Sequence, residues 1–195
     1  MLLLLSGCLE EKFSGIAPEP YPAPGFTLKN QNGEEISLQD LRGKIVVMSF
    51  MYTGCPTVCP LITTKFLEAA NMLGESAGRE VVFIGVTVDP ERDTPEAVKT
   101  FLESKGMQDK MHFLIGERKE LETVWENYNV YVNRSGEGPD YTVDHTAIVY
   151  VIDKNGDLRI LYPGLEWFPK FLVSDIKTLM REDNPLFRII YSVPK

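Results

Sequence analysis

Hydrophobic positions along the chain change their spacing several times, and each change marks an element. Phe26 and Leu28 alternate with polar neighbours, Ile36 resumes the alternation, and Asn30-Gln31-Asn32-Gly33 lies between them. Period-two alternation across an Asn-Gly turn predicts a β-hairpin over 26–37. Lys44 to Met51 (KIVVMSFM) and Val81 to Val88 (VVFIGVTV) are continuous apolar runs of strand length. Such runs belong to central strands buried on both faces. From Pro60 to Ala77, Leu61, Phe66, Leu67, Ala70 and Leu73 recur at helical spacing. Thr94 supplies an N-cap and Pro95 the first helical position of a second helix, running to about Lys105. His112 to Ile115 reads as a short strand and Arg118 to Asn129 as a helix. Thr146–Ile152 and Leu158–Tyr162 flank a second Asn-Gly turn, Asp153-Lys154-Asn155-Gly156, and Phe168 to Arg181 closes as a helix. This order predicts an α/β fold, a mixed central sheet with helices on both faces.

The two ends follow neither pattern. Leu2 to Leu5 are apolar, Ser6, Gly7 and Cys8 follow, and the chain turns polar at Glu10. Four apolar residues fall short of the roughly 7 to 15 of an export signal, and of any membrane span. Residues 1–8 therefore read as a truncated signal whose start lies upstream, or as a chance match. The order Leu5-Ser6-Gly7-Cys8 resembles the lipobox of bacterial lipoproteins, in which the cysteine carries the lipid. Residues 9–25 hold Pro18, Pro20, Pro22 and Pro24, the composition of an extended tether. A domain over 26–182 and a tail over 183–195 complete the division.

Composition narrows the choice of function. The chain has 195 residues, 44% hydrophobic and 25% charged, which suits one globular domain rather than a multi-span membrane protein. Its net charge of -8 excludes nucleic acid as a partner, since phosphate binding needs a basic face.

Candidate chemistry concentrates where the first apolar strand meets the first helix, at Thr53-Gly54-Cys55-Pro56-Thr57-Val58-Cys59-Pro60. Sites in α/β folds lie at the carboxyl ends of parallel strands. Pro60 suits the first helical position, which predicts Cys59 at the N-cap, where the helix macrodipole favours a thiolate. The short turn keeps Cys55 and Cys59 close enough for a disulfide or for one metal ion. Spacing leaves three readings: a redox dithiol, a metal clamp, or a peroxide-reducing pair. The last lacks its hydroxyl, because Tyr52 and Pro56 stand three residues before the cysteines where a Thr or Ser is needed. Only two histidines are available as further ligands. His112 adjoins a short strand and reads as a packing or surface residue. His145 precedes Thr146 at the opening of a late strand, where thioredoxin-like folds place a cis-proline beside their active-site cysteines. That alignment sets the imidazole near the pair. Two thiolates and one imidazole suit copper, with zinc close behind on ligand type.

Together these segments resemble the Sco (SenC) family of copper chaperones for cytochrome c oxidase. The matching residues are Thr53–Pro60, Val88-Asp89-Pro90-Glu91-Arg92-Asp93-Thr94-Pro95 and Val143-Asp144-His145-Thr146, and the resemblance covers residues 22 to 182. It implies a thioredoxin-like fold with added β-hairpins and one copper, Cu(I) or Cu(II), held by Cys55, Cys59 and His145. Asp89 would be the family's acidic residue beside the metal, supporting the ligands or docking a partner. The implied partners are the CuA subunit of the oxidase and an upstream copper donor or thiol reductant. The implied location is the extracytoplasmic face of a membrane, through a lipid on Cys8. The competing reading is a thiol-disulfide oxidoreductase that reduces the CuA cysteines with Cys55 and Cys59 as its catalytic dithiol.

Overall fold

The computed structural model describes residues 13–136, 138 and 141–182, so Cys8 and the tail 183–195 lie outside the described residues. Ten strands, five α-helices and one 3-10 helix (Leu38–Leu41) are assigned within them. In chain order the strands are β1 (Tyr21–Pro22), β2 (Thr27–Asn30), β3 (Glu35–Ser37), β4 (Ile45–Met51), β5 (Val81–Thr87) and β6 (Met111–Ile115). β7 (Val132–Ser135), β8 (Thr142–His145), β9 (Ile148–Ile152) and β10 (Asp157–Pro163) follow. The helices are α1 (Val58–Leu73), the single turn α2 (Ser76–Arg79), α3 (Pro95–Ser104), α4 (Arg118–Asn127) and α5 (Pro169–Glu182).

Eight strands form one sheet in the order β1-β10-β9-β4-β5-β6-β2-β3, with β4, β5 and β6 parallel and β9 antiparallel to β4. β4 and β5 are buried at every position, as their unbroken apolar runs require. One face carries Phe83 and Phe113, which meet Phe66 of α1 at 5.3 Å and Phe101 of α3 at 6.1 Å between ring centroids. α5 packs beside α1 on that side. Phe50, on the opposite face of β4, meets Tyr128 at the end of α4 at 5.6 Å. Helices therefore cover both faces, the expected thioredoxin-like arrangement. At Gly85 of β5 the packing is crowded: a Cβ there would lie 2.6 Å from Met111 Cε and would push that methyl aside.

Three expectations change. The Pro-rich residues 13–25 are not a free tether. Ile16 bridges Leu161, Tyr21 and Pro22 add an edge strand to β10, and the Ala23 N–H donates to Gly156 O at 3.0 Å. A strand with unpaired backbone groups, β10, is a ready template for such pairing. A buried carboxylate holds the segment from the other side. Asp175 of α5 accepts from Ser14 N and Gly15 N at 3.0 Å and from the Tyr162 hydroxyl at 2.5 Å.

The second change is β7 with β8, a two-stranded ribbon outside the main sheet. Val132-Asn133-Arg134-Ser135 and Thr142-Val143-Asp144-His145 are too short and polar to announce strands. The third is their consequence: His145 ends β8 instead of opening the next strand, which begins at Ile148.

Asp175→Ala leaves three donors without their acceptor, so it should destabilise the protein by about 3 kcal/mol in urea titration. Limited proteolysis of this variant should cut first between Ser14 and Ala23, sites that stay protected in the unaltered chain.

Candidate functional site

The cysteine turn leaves the end of β4, crosses residues 52–57 and enters α1. The helix begins at Val58 with Thr57 as N-cap, two residues before the position that Pro60 suggested. Proline is accommodated throughout the first helical turn, where backbone N–H groups have no intrahelical acceptor. Cys59 is consequently inside the helix and fully buried, and the Thr57 side chain makes no capping bond. The sulfur of Cys55 takes that place, accepting from Cys59 N at 3.3 Å.

This geometry reverses the expected roles of the two thiols. Cys55 is held down to about 5, first by the hydrogen bond from the Cys59 thiol. Burial opposes this, and backbone N–H groups of Cys59, Thr57 and Val58 support it. Cys59 is pushed up, first by donating to Cys55, then by burial and by the neighbouring thiolate charge. The anion belongs to Cys55, outside the helix and facing its N–H groups, which is where the macrodipole stabilises negative charge. Neither Cys55 nor Cys59 is in a disulfide.

The late histidine does reach the pair. His145 Nε2 stands 3.7 Å from Cys59 Sγ, and Nδ1 is 3.0 Å from Thr146 O. A carbonyl only accepts, so Nδ1 carries the proton and the Nε2 lone pair faces the sulfur. Burial lowers the imidazole's pKa, keeping it neutral at pH 7. Metal bonds of about 2.3 Å to sulfur and 2.0–2.1 Å to nitrogen, about 109–120° apart, separate the donors by roughly 3.5–3.8 Å. The observed 3.7 Å fits one ion between them. Among the described residues no three His, Cys, Asp or Glu groups form a closed ligand set. Loading all three donors therefore needs a small adjustment of the turn or of β8. His112 is elsewhere, with Nδ1 3.1 Å from Asn30 Nδ2.

Asp89 is buried, with 1% of its surface exposed, and its carboxylate is engaged by Arg92 and by the Tyr141 hydroxyl at 2.5 Å. A direct docking contact from Asp89 is closed in this conformation, because no face of it meets solvent. Three supporting residues went unrecognised in the sequence. Asp93 accepts from Thr53 N at 3.0 Å and from the Thr53 and Thr87 hydroxyls at 2.6 Å, pinning the cysteine turn to the loop after β5. Burial raises its pKa. Tyr52 stacks its ring edge against His145 at 5.9 Å, and Tyr141 anchors the ribbon. Asp93 lies in a segment quoted for resemblance, so position alone marked it; the two tyrosines carried no such signal.

A family model described as SCO1/SenC matches residues 17–181. A SCO2-like protein of Rickettsia prowazekii is 33% identical over 134 residues, 67% of this chain and 64% of that protein. The chain thus spans just under two thirds of that relative's length. Bradyrhizobium japonicum ScoI, solved with copper bound, superposes with a TM-score of 0.72 at 34% identity, over 82% of this chain and 99% of that one. BsSco, described as a member of the Sco family of cytochrome c oxidase assembly proteins with a disulfide switch, gives 0.69 at 28% identity, over 85% and 96%.

An unfolded cysteine ionises near 8.5, whereas Cys55 remains a thiolate down to about 5. A depressed value contributes stability above the unfolded pKa and loses it as pH falls through the folded one. Urea titrations of the reduced protein should show stability declining from about pH 8.5 to 5, and Cys55→Ala should lack that decline. Alkylation at about pH 6 should label Cys55 and spare Cys59.

Proposed function

The chain belongs to the SCO1/SenC family, and from that premise we propose that it is a copper metallochaperone. One copper ion is its cargo, bound by Cys55, Cys59 and His145 and passed to the CuA site of cytochrome c oxidase. The observation that carries the reading is the convergence of a preformed thiolate, a second thiol and a neutral imidazole whose free nitrogen faces sulfur. Two soft sulfur donors with one nitrogen favour copper, and two thiolates alone can hold Cu(I) linearly. Because Cys55 is already ionised, loading at neutral pH displaces only the Cys59 proton.

Residues 1–8 fit a lipid anchor on Cys8 that holds the domain at the extracytoplasmic face of a membrane. Docking of residues 14–23 on β10 and α5 shortens the free tether, so the partner must approach close to that surface. Among the described residues no helix is long and apolar enough to cross a membrane.

The unequal thiols also favour a second reading, a thiol-disulfide oxidoreductase acting on the CuA cysteines. Cys55 would attack the partner disulfide as thiolate, forming a mixed disulfide and releasing one partner thiolate. Cys59, once deprotonated, would then displace the second partner sulfur, leaving Cys55–Cys59 oxidised and the partner dithiol reduced. Copper and the Cys55–Cys59 disulfide exclude one another, since both use the same sulfurs.

Reduced protein should bind one copper and release about one proton at pH 7. Metal analysis should show tight binding lost in Cys55→Ala and in Cys59→Ala, with His145→Ala weakening Cu(II) more than Cu(I). Equal copper retention in both cysteine variants overturns the site. In cells lacking the gene, recovery of oxidase activity with added copper supports the chaperone, and recovery with thiol reductant alone supports the oxidoreductase.

A further inference from the structure

β8 delivers His145, yet its ladder partner is β7 alone, so no strand of the main sheet sets the imidazole's position. The base of this ribbon is tied to itself, Thr146 N to Tyr131 O and Tyr131 N to the Thr146 hydroxyl, both at 3.0 Å. Its links to the cysteine side run through two tyrosines. The Tyr52 hydroxyl accepts from Val143 N at 3.4 Å, two residues before His145. Tyr141, just ahead of β8, donates its hydroxyl to Asp89 at 2.5 Å and accepts on its carbonyl from Arg92 NH1 at 2.9 Å. Arg92 also pairs with the other Asp89 oxygen. Its guanidinium lies 3.7 Å from the Tyr141 ring centroid, and that of Arg134, on β7, lies at 3.6 Å.

We infer that Tyr141, held by Asp89 and Arg92, is a positioning residue that clamps the β7–β8 ribbon so that His145 stays against the cysteine pair. This rests on His145 being a copper ligand and adds what keeps it in place. The phenol donates to a carboxyl group that also pairs with Arg92, in a buried setting where loss of the donor is costly. Asp89 thereby acts on the metal site at one remove, through the aromatic ring and the strand. Both sulfurs sit on the turn and on α1, which Asp93 anchors separately. Loosening the clamp should therefore withdraw the imidazole and leave the two thiolates where they are.

The test compares the unaltered protein with Tyr141→Phe and Asp89→Asn. Amide hydrogen exchange is followed without metal, and loss of Cu(II) and of Cu(I) to a competing chelator is followed after loading. Exchange at Val143 and His145 should quicken about tenfold while β4 and β5 keep their protection. Cu(II) release should quicken about tenfold and Cu(I) release by less than about threefold, because two thiolates suffice for Cu(I). If Tyr141→Phe does not fold, Asp89→Asn carries the same comparison with the phenol in place. Unchanged exchange in the ribbon, equal loosening of β4 and β5, or equal acceleration of both copper states overturns the clamp. Failure of the unaltered protein to take up copper overturns the chaperone reading, and the metal-free exchange still decides the clamp.

Discussion

Helix α1 starts without a side-chain oxygen to satisfy its first N–H groups, and the sulfur of Cys55 fills that role. Much of the site follows from this one contact. Capping by a sulfur favours its anionic form, and the anion forces the neighbouring Cys59, the buried second residue of α1, to keep its proton. Two identical side chains four residues apart thus become a nucleophile and its protonated partner. The asymmetry suits either function weighed above, since copper loading and disulfide exchange both begin from one ionised sulfur.

Keeping the capped turn in place falls to buried carboxylates on the loop after β5. Asp93 binds the turn directly through Thr53, and Asp89 binds the ribbon through Tyr141. One seven-residue segment, Asp89 to Pro95, therefore sets the two halves of the site relative to each other. It then begins α3, with Thr94 capping Ala97 N at 3.2 Å. Asp175 does comparable work at the far end of the molecule, where it fastens the N-terminal segment to α5. Each of these acids is buried with both carboxyl oxygens hydrogen-bonded, which is the condition for keeping such a group inside a protein.

The elements legible in the sequence are those whose stability comes from local pattern. β4 and β5 follow from uninterrupted apolar runs, α3 from Thr94-Pro95, and the β9–β10 turn from Asn155-Gly156, whose glycine adopts φ +83. The segments misread are those whose partners lie far along the chain. Residues 14–23 carry the composition of a tether, but their hydrogen-bond partners are residues 156–175, invisible to any local window. The β7–β8 ribbon escaped for the same reason, since its strands are polar and owe their position to Asp89, Arg92 and Tyr52.

The order of the main elements, the thioredoxin-like class and the three candidate donor residues were legible in the amino-acid sequence itself. Periodicity, proline position and donor type are properties of neighbouring residues, and the quoted motifs carried the rest. Which cysteine is the thiolate, which imidazole nitrogen is free, and which groups hold the Asp89 carboxyl were decided only by tertiary structure. Each depends on where a helix N–H, a carbonyl or a phenol from a distant segment comes to rest, within a few ångströms that no local pattern encodes.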